Sequence, residues 1–313
     1  LTRQGGQRDD LVVAICLGNP YIVPSSLHFI TQQHLRRRRH SELERHSIGF
    51  YMRYDIGDLL NSWPFDPDEF IARRITARDG SEKVQIRIDM GMLQLELEGR
   101  PDGQKPHGCS SLLDFYRAAQ KGRVARVTRD GVLDEEACED LFQEAWQYYQ
   151  RYLAFFYLED YAGVVRDTGH NLEIFDLVYE YADSDEVKWY FEQYFPHAVM
   201  MQVRAQAMQA LERNDYPTAL RRVRAGIDRI DDFSGEWEGD TDVMEGDLPE
   251  LTFLKDWYEE LEKDRPLSDQ EQLERNLSVA VEAENFEEAA RLRDKLRTLR
   301  PAFLGVPTER SSL

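Results

Sequence analysis

Apolar and polar residues alternate strictly over 84–90, where Val84, Ile86, Ile88 and Met90 are separated by Gln85, Arg87 and Asp89. A period of two predicts a half-buried strand. The alternation changes phase at Gly91-Met92: Leu93, Leu95 and Leu97 are now the apolar set, with Gln94, Glu96 and Glu98 between them. A phase change at a glycine predicts a bulge or a tight reversal. Phe70 to Ala77 reads as a preceding strand, joined through the turn signal Arg78-Asp79-Gly80. Gly99-Arg-Pro-Asp-Gly103 closes the last strand. The expected product is a three-strand meander whose apolar face needs a cover. A helix over about Ser110–Ala119, with Leu112, Leu113, Phe115 and Tyr116, is the candidate for that cover.

From Asp134 the period becomes helical. Leu141, Phe142, Ala145, Trp146, Tyr149, Tyr152 and Leu153 fall on one broad stripe. Glu135 and Glu136 suit a helix start there, where the macrodipole favours negative charge. The aromatic load (Trp146, Tyr148, Tyr149, Tyr152, Phe155, Phe156, Tyr157) is read as inter-helix packing rather than a ligand groove. Two later segments look alike, Leu158-Glu-Asp-Tyr161-Ala-Gly-Val-Val-Arg166 and Leu211-Glu-Arg-Asn-Asp-Tyr216-Pro-Thr-Ala-Leu-Arg221. Each puts a polar pair and a tyrosine between two helical runs. Ala207, Ala210, Tyr216, Ala219 and Leu220 resemble the inter-helix turn of a tetratricopeptide repeat, but the segment spacing does not match that repeat, whose period is about 34 residues. The expectation is TPR-like helical hairpins. Further on, Leu251, Leu254, Trp257, Tyr258 and Leu261 predict a helix over roughly Pro249–Lys263.

Charge divides the chain. The formal net charge of the 313 residues is −20, which opposes direct binding to nucleic-acid phosphates. Residues 1–51 run against this, with seven arginines, four carboxylates and the run Arg36–Arg39. That segment is expected to be a disordered or mis-assigned N-terminal extension, and no function is assigned to it. Residues 233–249 are rich in carboxylates and lack lysine and arginine, as expected of an extended, self-repelling linker. Three widely spaced cysteines, Cys16, Cys109 and Cys138, indicate neither a zinc knuckle nor a disulfide framework. They fit a reducing compartment. No run of 18 apolar residues is present, so no membrane span is expected.

Ser268-Asp-Gln-Glu271 has the form of a capping box. Leu273, Leu277, Ala280 and Val281 then share one helical face, and Glu284-Asn285 turns the chain. Ala289, Leu292, Leu296 and Leu299 form the seam of a second helix, on which Glu287 and Arg291 are placed for an i,i+4 ion pair. The string Leu273-x3-Leu277-x2-Ala280-Val281-x4-Phe286-Glu287-x-Ala289-Ala290-x-Leu292-Arg293-Asp294-x-Leu296 resembles the UVR domain (UvrB/UvrC motif), over about residues 268–300. The resemblance implies an antiparallel helical hairpin that pairs with a second such hairpin or docks on a partner. Members of that family include excision-repair nuclease subunits, Clp-type unfoldases and the activator of a protein arginine kinase. The helicase motifs, Walker A loop and paired cysteines of those proteins are not found in this sequence, so their activities do not come with the hairpin.

The sequence therefore predicts an α+β, mostly α chain. Its parts are a small β-rich domain over 52–125, a helical domain over 134–232, an acidic linker over 233–249, a helix plus hairpin over 250–300 and a tail over 301–313. The expected partner-binding residues are Leu277, Val281, Phe286, Ala289, Ala290, Leu292, Arg293 and Leu296. The expected partner is another protein or a second UVR hairpin, with a homodimer as one form of it. The expected role is that of a cytoplasmic adaptor, with no cofactor, no metal, no membrane and no direct nucleic-acid contact. Two alternatives remain open. One is an enzyme using Asp55, Asp58, Asp89, His107 or Cys109, where His107 and Cys109 form a nucleophile pair or half of a metal site. The other is an accessory factor in DNA repair or stress response, recruited by a UVR partner.

Overall fold

The computed structural model describes residues 56–121, 132–237 and 248–299. The segment 1–51, the tail 301–313 and residues 238–247 of the expected linker lie outside the described residues. The chain divides into two compact units, Leu1–Lys255 and Asp256–Leu313. Mostly helical, with one small antiparallel sheet, it has the α+β class that the patterning predicts.

In the first unit, α1 (Gly57–Ser62) precedes β1 (Ala72–Thr76), β2 (Glu82–Ile88) and β3 (Gly91–Glu96). The strands pair antiparallel in the order β1-β2-β3. Ile86 lies opposite Ala72 on one side and Leu93 on the other. Ala72, Val84, Ile86 and Leu95 are buried and supply the apolar face. The phase change marks a reversal, because Ile88 pairs with Gly91 and only Asp89 and Met90 lie between. Met90, which prolongs the alternation in the sequence, sits at the tip and is 87% exposed.

The polar positions of β2 do not face water, contrary to a half-buried strand. Gln85 and Arg87 are buried. Arg73 Nε donates to Gln85 Oε1 at 2.9 Å, and Gln85 Nε2 donates to Gln94 Oε1 at 2.9 Å, a ladder across all three strands. The Trp63 ring lies 4.0 Å from the Arg73 guanidinium. Arg87 donates to Trp63 O at 2.7 Å and ties the reversal together through Asp89 O and Gly91 O.

The helix expected to cover the sheet is α2 (Leu112–Gln120), with Ser111 Oγ accepting from Asp114 N as its cap. The structure gives that cover to α3 (Glu135–Tyr157), which packs on β1 and β2, while α2 packs on α3 and α4 (Tyr161–Tyr181). The C-terminal half of α3 is suited to a sheet edge. Arg151 donates to Glu96 O at 2.9 Å, and Tyr157 meets Phe70 edge-on.

Next come α5 (Asp185–Glu192), α6 (Phe195–Leu211) and α7 (Tyr216–Trp237). Helix α3 lies against α4, α4 against α6, and α6 against α7. Glycines permit two of these approaches: a Cβ at Gly163 would stand 2.6 Å from the Phe155 ring, and one at Gly226 would stand 2.6 Å from a Val203 methyl. Residues 233–237, expected to open the linker, continue α7 instead. Phe233 is buried there and stacks on Phe195, with ring centroids 4.9 Å apart. An acidic composition does not break a helix that still has an apolar residue to bury. Helix α8 (Pro249–Asp264) is followed in the second unit by α9 (Asp269–Glu282) and α10 (Phe286–Leu299), which form an antiparallel pair.

Candidate functional site

One corner geometry occurs three times, at α3/α4, α6/α7 and α9/α10. The first helix ends in a left-handed residue: Glu159 (φ 59°), Asn214 (φ 55°) or Glu284 (φ 56°). The next residue returns its N–H to the carbonyl five positions back: Asp160 to Phe155 O (2.8 Å), Asp215 to Ala210 O (2.9 Å) and Asn285 to Ala280 O (2.8 Å). This is the six-to-one bond of a Schellman ending. The same Asp or Asn then caps the second helix, its side chain accepting from Gly163 N, Thr218 N or Glu288 N. An aromatic residue follows each time, Tyr161, Tyr216 or Phe286. The three differ in its surroundings. Tyr161 is 8% exposed and lies edge-on to Phe156, Tyr216 is half-buried, and Phe286 is 71% exposed.

The hairpin carrying Phe286 is fixed at its start by a cap and along its length by a seam. Ser268 Oγ accepts from Glu271 N while Glu271 Oε2 accepts from Ser268 N, the predicted capping box. Arg265 clamps the Glu271 carboxylate through two nitrogens at 2.8 and 2.5 Å. That guanidinium, with the bonds from Ser268, holds the carboxyl below the usual range. Ala280, Ala289 and Leu292 are buried in the seam, with Leu273 and Leu277 packed against them. Arg291 pairs with Glu288 at 3.0 Å rather than with the expected Glu287, so the ion pair spans three residues instead of four.

The predicted docking residues thus separate into two groups. Leu277, Ala289 and Leu292 hold the hairpin together. Val281 (52% exposed), Phe286 and Arg293 face outward, and Ala290 and Leu296 are half-buried. Phe286 lies outside the seam. Helical periodicity places Phe286, Ala290, Arg293 and Arg297, at steps of four, three and four, on one side of α10, beside the seam of Ala289 and Leu292. The opposite side holds a shallow groove of about 350 Å³ lined by Asn276, Val279, Ala280, Ala283, Asn285, Glu288 and Leu292.

A second cluster lies in the first unit and was not predicted. Glu144 is fully buried in α3 and accepts from Leu112 N at 2.7 Å and Leu113 N at 3.1 Å, the first N–H groups of α2. His170 Nε2 is 3.0 Å from Oε1, the oxygen that accepts from Leu113 N, and Arg100 approaches Oε2 to 3.5 Å. The His170 ring stacks on Tyr148 with centroids 3.7 Å apart. One turn further, Arg151 and Asp167 are both fully buried and joined by two bonds of 2.6 and 2.9 Å. Arg166 donates to Asp167, Glu98 and Leu97 O. Burying such charges is tolerated only because each has a partner. A cleft of about 420 Å³ opens beside them, lined by Gly99, Tyr148, Arg151, Val165, Arg166, Gly169, His170 and Glu173. The sequence held a signal for this cluster. Glu144 and Arg151 occupy positions on the same apolar stripe as Leu141, Ala145, Tyr148 and Tyr152, and a charge on such a stripe requires a buried partner.

The residues of the enzymatic alternative stand on separate elements. Asp58 is in the first turn of α1 and Asp89 in the β2–β3 reversal; Asp55 lies outside the described residues. His107 (φ 51°) precedes α2 and stacks on Phe115 at 4.0 Å. It makes no hydrogen bond to Cys109, which is half-buried in the same loop. Among the described residues, no group of three or more His, Cys, Asp or Glu side chains could hold a metal ion, and no helix is long and apolar enough to cross a membrane.

The UvrB/uvrC motif matches residues 270–300, which are α9, the corner and α10. No curated protein and no solved structure matches the chain.

Proposed function

We propose that the chain is a cytoplasmic protein-interaction adaptor that docks through the side of its hairpin bearing Val281, Phe286, Ala290 and Arg293. The observation that carries this reading is the exposure of Phe286. At the same corner position Tyr161 is 8% exposed, whereas Phe286 is 71% exposed. A solvated phenylalanine forgoes roughly 1.5–3 kcal/mol of burial. It also stands beside an alanine and two arginines, a combination typical of interface anchors. The motif at 270–300 supports a role in protein–protein contact. The partner is either a second copy of this hairpin or a hairpin of another protein.

Phe286→Asp leaves the seam of Ala280, Ala289 and Leu292 intact and places a charge at the centre of the docking side. Full-length bait is compared with this variant and with Val279→Asp on the opposite side, using lysate of the native cells. Proteins captured by wild type and by Val279→Asp should fall at least about tenfold with Phe286→Asp. Equal capture by all three baits would sink the docking reading. Sedimentation of the purified protein then separates a second copy from a foreign partner.

A further inference from the structure

We propose that the cleft between the 97–100 loop and helices α3 and α4 binds a phosphate-sized oxyanion, held by Tyr148, His170 and Arg166. The lining has the size range of a small-ligand site, and it presents three polar side chains with atoms to spare. Every carboxylate near the cleft is already answered. Asp167 is held by Arg151 and Arg166, Glu98 by Arg166, Glu173 by Arg117, and Glu144 by Arg100, His170 and two backbone N–H groups. The groups left over are Tyr148, His170 and Arg166. Tyr148 is buried apart from the cleft it lines, and its hydroxyl has no hydrogen-bond partner among the described residues. His170 uses only Nε2, towards Glu144, so Nδ1 is unengaged. The Arg166 side chain is 39% exposed, and its two terminal nitrogens each carry a second hydrogen beyond the bonds to Glu98 and Leu97 O.

These groups match a phosphate better than a carboxylate. The Tyr148 hydroxyl and the spare Arg166 N–H groups donate to anionic oxygens, and arginine suits the geometry of a phosphate. With Nε2–H given to Glu144, the neutral His170 ring offers Nδ1 as an acceptor, which a hydrogen phosphate satisfies with its own O–H. When the ring carries a second proton, Nδ1–H becomes a third donor. A carboxylate has no hydrogen to offer in the first case. Glu144 is pinned by α2, so the ring is held in place before any ligand arrives. Gly99 and Gly169 line the cleft without a side chain to fill it.

The test uses the full-length protein and inorganic phosphate at constant ionic strength, followed by NMR of the histidine ring protons. The His170 signal is identified by its loss in His170→Gln. Wild type should show a saturable shift of that signal with phosphate and none with chloride or acetate. Tyr148→Phe keeps the ring stack and should weaken the midpoint roughly tenfold or more, as should Arg166→Gln. Glycerol phosphate as a second arm separates a phosphate monoester from the free ion: tighter binding of either names the source. No movement of the His170 signal overturns the proposal. So does an equal response to acetate, or an unchanged midpoint in a folded Tyr148→Phe protein.

Discussion

Arg151 and Asp167 form a fully buried ion pair between α3 and α4, with the third arm of the guanidinium on the Glu96 carbonyl at the end of β3. Removing one charge strands the other in an apolar setting, which costs about 3–5 kcal/mol. Asp167→Ala should therefore lower the urea midpoint of the first unit by a large part of its stability, and Arg151→Met with Asp167→Leu should recover most of it. His197 presents the opposite case. Its Nε2 is buried without a partner, beside Tyr149 and Tyr152. Burial, helped by the positive charge of Arg204, pushes its pKa down from 6.5 to about 4. The unfolded chain thus takes up a proton that the folded chain resists. Stability should fall as pH drops from about 6.5 to about 4, with no contribution from this ring above that window. Denaturation midpoints measured across the window should show a shallower slope in His197→Gln.

The recurring corner is the unit of construction among the helices. Two of its three occurrences look alike in the sequence, because Glu-Asp-Tyr and Asn-Asp-Tyr stand between apolar runs of helical period. The third, Glu284-Asn-Phe, is also read there as a turn, but its φ value and bonds are what place it in the same set. In all three a residue with a side chain adopts the left-handed region, at a cost of about 1–2 kcal/mol that glycine avoids. Glycine loses more freedom on folding, so Glu284→Gly should yield a net gain of about 0.5–1 kcal/mol. Slower amide exchange in α9 and α10 of the full-length protein would register it. The sheet was equally readable, since a two-residue period with one phase change admits few other arrangements. What covers it was not, because α2 and α3 both carry apolar faces and nothing in their periodicity says which meets the strands. The polar ladder Arg73–Gln85–Gln94 escaped for a related reason: polar residues on a strand look solvated until the segment at Trp63 is seen to lie over them.

At the scale of the molecule, the chain keeps its charged interior in the first unit and its exposed aromatic anchor in the second. The net charge of −20 favours solubility and discourages anionic macromolecules. The cleft beside Tyr148 and the side of the hairpin at Phe286 are both exceptions to that acidic surface, since each offers arginines. The candidate site was legible in the sequence to the extent that the motif string names it. Which of its residues hold the hairpin and which face outward depended on the seam, and Phe286 lies outside it. The central claim is therefore that Phe286 meets a partner. It is tested most directly by placing the photoreactive amino acid benzoylphenylalanine at position 286 of the full-length protein in its native cells, with position 282, exposed on the outward side of α9, as the control. The account predicts a discrete crosslinked product from position 286 and none from position 282. Uncrosslinked protein alone, or the same products from both positions, would contradict it.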